Sequence, residues 1–282
     1  MLEGFLIGNY TNNETKTGVT VLLAPQGAVG GVSVRGGAPA THETDLFRAE
    51  NTVDKVNAVV LSGGSAFGLE AISGVARFLH EKGCGYDAGG YRVPICAGAS
   101  IYDLEYGSFD FPNKEAGYFA CQNAAPIFEM KGSIGAGAGA TVCKMGGMSG
   151  AKKSGMAVCV AVKGSIEMAV VTVVNALGDI YDPATGKPIK KSDVSDASPS
   201  FSNTTITCVL TNASLTKAQA NKLADVTQDA YAKCIRPVHT AFDGDSIFVL
   251  SSASVAANPV ELQMMADALC SEAILRAVTS ND

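Results

Sequence analysis

Residues 202–210 read Ser-Asn-Thr-Thr-Ile-Thr-Cys-Val-Leu, and the organisation of the chain turns on them. Ahead of them, residues 183–203 (PATGKPIKKSDVSDASPSFSN) make the one polar, Pro/Ser/Lys-rich stretch of linker character in the sequence. Behind them every segment is patterned. The β-branched run predicts a strand at 205–210, a helix follows over about 217–232, and a second strand at 246–250. Asn258-Pro259 opens a last helix, with Asn as N-cap and Pro at the first helical position. Leu262, Met265, Ala266, Leu269 and Ala273 fall on one of its faces. The 79 residues after position 203 are therefore expected to form a β-α-β-α block.

Working outward, the hydrophobic runs 155–162 and 167–175 are joined by a tight 163–165 connection and read as a hairpin. Residues 17–24, a Pro25-Gln26-Gly27 turn and residues 28–35 read as an antiparallel pair. A strand at 56–61 runs through Ser62-Gly63-Gly64-Ser65 into a helix whose apolar stripe is Phe67, Ala71, Val75, Phe78 and Leu79, ended by Gly83. Residues 85–130 are turn-rich and read as surface loops or an insertion near a cleft. Antiparallel strands followed by a β-α-β-α block give an α+β or layered α/β fold around a common sheet core.

Composition narrows the function. A net charge of −6 excludes a nucleic-acid binder that works by bulk positive charge. The longest apolar runs, 156–162 and 168–174, are strand-sized, against the ~20 residues a spanning helix needs, so no membrane span is expected. Residues 1–10 lack the features of a signal peptide, which points to the cytoplasm. The eight Cys show no CxxC and no Cys/His spacing suited to zinc, and they read as reduced core residues; no metal or other cofactor is expected. Glycine is in excess, 31 of 282 residues, about 11% against about 7% in average usage.

Six places offer chemistry. The run Gly135-Ala136-Gly137-Ala138-Gly139 has neither phosphate-loop spacing, so it reads as a close-packing segment that is also able to offer backbone N–H groups to an oxyanion. Ser62-Gly63-Gly64-Ser65 lacks GxSxG, and with His only at 42, 80 and 239 no order of parts supports a Ser-His-Asp triad. Thr204 reads first as the start of a strand. Were the chain to break before it, Thr204 would own both a nucleophilic Oγ and an α-amine of pKa about 7.7–8 to act as its base. Asp243-Gly244-Asp245 is ordinary turn chemistry, yet two carboxylates beside such an amine would orient it. Asn175 reads as a strand-terminal turn residue and Lys144 as a solvated lysine.

Taken together, the pieces resemble the self-cleaving L-aminopeptidase/D-esterase (DmpA) family, which includes β-aminopeptidases and endo-type nylon-oligomer hydrolases. The resemblance rests on Ile7-Gly8-Asn9 with residues 17–21, Gly36-Gly37-Ala38-Pro39 with Glu43-Thr44-Asp45, residues 61–69, 135–144, Asn175-Ala176, Asn203-Thr204-Thr205 and 242–248. It spans nearly the whole chain in order. It implies a four-layer α-β-β-α sandwich and one domain that cuts itself between Asn203 and Thr204. The products would be an α chain (1–203) and a β chain (204–282), assembled as a homotetramer of αβ units. It implies Thr204 as nucleophile, Asn175 as oxyanion stabiliser, Lys144, Asp243 and Asp245 as the remaining catalytic set of the nylon-oligomer branch, and Tyr102 in the pocket. A backbone N–H near Gly135 is expected to face the substrate. The aminopeptidase branch has a Ser nucleophile, a Ser-x-Glu pair and a pocket Glu; these are absent, with Ser100 at the position of the last.

The function so implied is hydrolysis of amides in small peptides or ω-amino-acid amides through an acyl-enzyme. Two other classes compete with it. Ornithine acetyltransferases share the self-cleaving fold, and acyl transfer from N-acetylornithine to glutamate distinguishes them. A binding protein that never matures would keep a single 28.9 kDa mass.

Overall fold

The computed structural model describes residues 2–193 and 203–280. The principal strands are β1 (Leu6–Asn12), β2 (Thr17–Val34), β3 (Lys55–Ser62), β4 (Cys96–Ser100), β5 (Met130–Gly132), β6 (Met156–Lys163), β7 (Ile166–Asn175), β8 (Thr204–Ala213) and β9 (Ser246–Val255). The helices are α1 (Ala71–Glu81), α2 (Lys114–Gln122), α3 (Lys217–Cys234) and α4 (Pro259–Thr279). Their ends follow from local chemistry. Thr216 and Gln219 form a reciprocal capping box on α3, and the Asn258 side chain accepts the Val260 N–H at the start of α4.

The strands join in the order β4-β3-β2-β9-β8-β7-β6-β5, with β1 beside the first half of β2. β2 is the hinge of this arrangement. Its first half pairs antiparallel with β1 and β3, and its second half runs antiparallel to β9 from Val29 opposite Ser251 to Val34 opposite Ser246. β9 lies parallel to β8, and β8 antiparallel to β7 with Thr204 opposite Asn175.

Period-2 alternation sorts the side chains into three cores. Val209, Ile247 and Val249 face α3 and α4, where they meet Leu223, Tyr231, Leu262, Leu269 and Ile274. Their neighbours Cys208, Leu210, Phe248 and Leu250 face the other way, against Leu22, Val59, Leu61 and Ala97 of the first half of the sheet. Val19, Val21, Ala58 and Val60 face α1 and α2 through Ile72, Val75, Leu79 and Ala120. Three cores separate four layers, helices outside and strands inside, which is the expected α-β-β-α sandwich.

Several local expectations change. Residues 24–27 do not reverse the chain: Leu23 is opposite Ala58 and Ala28 opposite Val56, so the Pro-Gln-Gly segment bulges out of one continuous strand. Residues 85–130 hold the inner strand β4 and the core helix α2 rather than loops alone. Phe67 leaves the apolar stripe and is 55% exposed, stacked on Phe111. The linker-like 183–203 contains a short strand, Pro188–Lys190, paired with Asp179–Tyr181; residues 194–202 lie outside the described residues. The hairpin, the C-terminal block and the buried thiols follow the sequence reading, Cys84 alone being half-buried.

Candidate active site

Thr204 is the first residue of β8 and lies buried beside the end of β7. Its Oγ donates to the carbonyl oxygen of the preceding residue, Asn203. That same oxygen accepts the N–H of Gly244 at 3.0 Å. Asn203 is held there by a parallel bridge to Asp243. The hydroxyl, the Asn203–Thr204 peptide and a backbone donor on its carbonyl thus meet in one buried place. A Cβ at 244 would come within 2.7 Å of Thr204 Oγ1, so a larger residue there would displace the hydroxyl.

The loop that carries Asp243 and Asp245 is clamped by the end of β2. Ala38 donates to the Asp243 carbonyl at 2.8 Å, Gly37 to that of Thr240 at 3.1 Å, and Arg35 to that of Asp245 at 3.0 Å. Asp243 accepts the Thr240 N–H at 2.6 Å. Burial, and then the negative charge of Asp245, raise the Asp243 pKa above the ordinary carboxylate value. Asp245 receives the Thr205 N–H on Oδ1 at 2.7 Å and, on Oδ2, both the backbone N–H (3.1 Å) and Nδ1 (2.8 Å) of His239.

Asn175 closes the other side. Its Oδ1 accepts from Thr141 N (3.0 Å), Thr141 Oγ1 (3.3 Å) and Lys144 Nζ (2.9 Å), and its Nδ2 donates to the Tyr102 carbonyl at 2.9 Å. Because Lys144 Nζ and the Thr141 amide only donate, the orientation of the Asn175 amide is determined. Lys144 is not the solvated lysine that its sequence context suggests. It is fully buried, and burial pulls its pKa down to about 7 against the opposing pull of Asp243, Glu105 and Asp103. Tyr102 is half-buried with its hydroxyl on Glu105 at 3.1 Å.

Thr204, Asn203, Asn175, Lys144, Asp243 and Asp245 are therefore linked by hydrogen bonds, strand register or direct charge interaction, with Tyr102 joined through its backbone. Gly135 is not joined to this set by a hydrogen bond among the described residues: its own N–H donates to Thr11 Oγ1 at 2.8 Å. Two neighbours of this set escaped sequence reasoning. His239 fits no Ser-His-Asp order, although it stands six residues before Asp245. Asp103 follows Tyr102 and accepts from Thr17 Oγ1 (2.8 Å) and the Gly64 N–H (2.6 Å), locking the Tyr102 loop to the Gly63-Gly64 turn. Burial pushes the Asp103 pKa up to about 6. Among the described residues no cluster of His, Cys, Asp and Glu is arranged to hold a metal ion, and no helix is long and apolar enough to cross a membrane.

Comparison with known proteins gives this geometry a context. The profile of peptidase family S58 matches residues 2–281. The chain is 40% identical over 291 residues to an uncharacterized aminopeptidase of Mycobacterium leprae (strain TN), covering 91% of this chain and 78% of that protein. It is 28% identical over 269 residues to the 6-aminohexanoate-oligomer endohydrolase of Kocuria sp. (strain KY2), covering 88% and 73%. Among solved structures, the L-aminopeptidase D-Ala-esterase/amidase from Ochrobactrum anthropi superposes with a TM-score of 0.76 at 17% identity, over 98% of this chain and 84% of that one. A β-aminopeptidase of Burkholderia sp. does so with a TM-score of 0.73 at 16% identity, over the same shares. These two show a common fold.

Proposed function

The chain belongs to peptidase family S58, and on that premise we propose that it is a self-processing amide hydrolase with Thr204 as its nucleophile. The supporting observation is the Thr204 hydroxyl lying against the Asn203 carbonyl while Gly244 N–H holds that carbonyl oxygen.

In the precursor, Thr204 Oγ adds to the Asn203 carbonyl carbon and loses its proton, and the negative charge that develops on the carbonyl oxygen faces the Gly244 N–H. Collapse breaks the C–N bond, protonates the Thr204 nitrogen and leaves Asn203 as an ester on Oγ. Water hydrolyses the ester, giving a carboxylate at Asn203 and a free amine and hydroxyl at Thr204. The products are residues 1–203 and 204–282.

In the mature enzyme the same Oγ attacks a substrate amide, with the Thr204 amine as general base. Asp243 and Asp245 hold the amine, and Asn175 donates to the oxyanion. Lys144 fixes the face that the Asn175 amide presents. The substrates are small peptides or ω-amino-acid amides, a range that the names of the aminopeptidase and 6-aminohexanoate-oligomer endohydrolase relatives support. Tyr102 lines the pocket, and the working form is a cytoplasmic homotetramer of αβ units.

The test is intact mass with a substrate panel. The parent protein should split from 28.9 kDa into two chains and hydrolyse at least one of the L-aminoacyl, β-aminoacyl or 6-aminohexanoyl amides. Thr204→Ala should remain one chain and hydrolyse none. A Thr204→Ala protein that still splits at this peptide sinks the assignment.

A further inference from the structure

His239 lies outside the set of residues assigned above, yet it makes two of the three hydrogen bonds to the Asp245 carboxylate among the described residues. We propose that His239 is a positioning residue: it sets Asp245, and through Asp245 the start of β8, in the geometry that both self-cleavage and hydrolysis need. The inference rests on the reading of Thr204 as nucleophile.

The contacts have a definite order. A carboxylate oxygen accepts and does not donate, so the Nδ1 of His239 is assigned the ring proton. With its backbone N–H and Nδ1–H both on Oδ2, His239 grips one oxygen in a fork, while the other oxygen takes the Thr205 N–H. Thr205 is the residue next to the nucleophile, so any rotation of Asp245 displaces the backbone that aims Thr204. His239 makes this fork from an unusual backbone, with φ at +55°, a left-handed value that side chains rarely adopt. The ring is fixed from its other side by Tyr231, whose centroid lies 6.0 Å away and whose hydroxyl is tied to Thr207 Oγ1 at 2.7 Å. Among the described residues Nε2 is buried with no hydrogen-bond partner. A ring kept only for packing gains nothing from a buried bare nitrogen and a strained backbone; both follow if the site requires the Nδ1–H on Asp245.

Two substitutions separate the donor from the fold. His239→Gly keeps the left-handed backbone and removes the side-chain donor. His239→Asn tolerates the same backbone and carries an amide N–H close to where Nδ1–H stood. The readouts are the rate of splitting at 203–204, followed by intact mass, and kcat and KM on p-nitroanilides of L-alanine and 6-aminohexanoate. His239→Gly should slow splitting and lower kcat at least tenfold with KM within threefold, and His239→Asn should stay within threefold of the parent in every value. Equal rates for His239→Gly and the parent overturn the inference, and so does an Asn variant as slow as the Gly variant with an unchanged melting temperature. A parent that never splits at 203–204 overturns the nucleophile reading and this inference with it. A parent that splits normally beside an unaffected His239→Gly overturns the role of His239 alone.

Discussion

Lys144 Nζ stands 2.9 Å from Asn175 Oδ1 and 3.1 Å from the Asn175 backbone carbonyl, without solvent exposure. An ammonium placed there at neutral pH costs stability, because burial disfavours its charged form and brings its pKa from 10.5 to about 7.

The pH dependence of that cost has a definite sign. Between about pH 7 and 10.5 the unfolded chain binds a proton that folded Lys144 does not, so this group makes stability rise with pH across the window. Its full cost is present below pH 7. The melting temperature of Lys144→Met relative to the parent should therefore be more favourable at pH 6 than at pH 10, measured by scanning calorimetry. Hydrolysis should fall on the order of a hundredfold, because the Asn175 amide loses one of the donors that fix its face. The same difference in melting temperature at both pH values would remove Lys144 from this account.

Replacing Asn175 by Ala should lower kcat about 10²–10³-fold with KM changed only a few-fold, the usual loss for one oxyanion donor. Steady-state kinetics on mature protein checks this. A change confined to KM would mean that Asn175 binds substrate rather than the transition state.

Gly244→Ala places a methyl group 2.7 Å from Thr204 Oγ1. The hydroxyl must move, so the precursor should accumulate uncut for hours while its far-UV circular dichroism stays that of the parent. Time-resolved intact mass gives the rate, and splitting at the parental rate would show that the hydroxyl has room to spare.

Seven of the eight thiols are buried. Burial pushes Cys96, Cys121 and Cys143 up to about 12 and holds Cys208 and Cys270 well above the ordinary thiol value. Native protein should react rapidly with a disulfide reagent at Cys84 alone, and all eight thiols should react in guanidinium. Fast labelling of a second cysteine, located by peptide mass mapping, would count against the three-core packing.

What was legible in the sequence was what repeats locally. The alternation through 156–175 and after 203 specifies strands, and Asn258-Pro259 marks a helix start, because each signal lies within a few residues of what it determines. Pro25-Gln26-Gly27 misled because the chemistry that makes a turn also makes a bulge, and only the partner strand decides between them. β4 escaped notice because Cys-Ala-Gly-Ala-Ser has no β-branched residue; its small side chains suit a strand buried on both faces. At the site, the family resemblance points to Thr204, Asn175 and the Asp-Gly-Asp turn, which the fold brings together at the ends of β7, β8 and the loop before β9. The burial of Lys144 depends on a partner 31 residues away, and the grip of His239 on Asp245 depends on a left-handed backbone. Neither leaves a mark in periodicity or composition.

β8 and β9 sit in the middle of the sheet, flanked by β7 on one side and β2 on the other. Were the peptide before Thr204 cut as proposed, the short fragment would still be stitched into the long one along both edges, so the nick would be silent in the native shape. It would not be silent on the way back from the unfolded state. An uncut chain folds in a first-order search, whereas two fragments must first find each other, at a rate that depends on their concentration. Maturation would thus turn a reversible folding reaction into a ratchet, and a fully denatured, processed enzyme should regain its structure more slowly on dilution than the uncut Thr204→Ala chain.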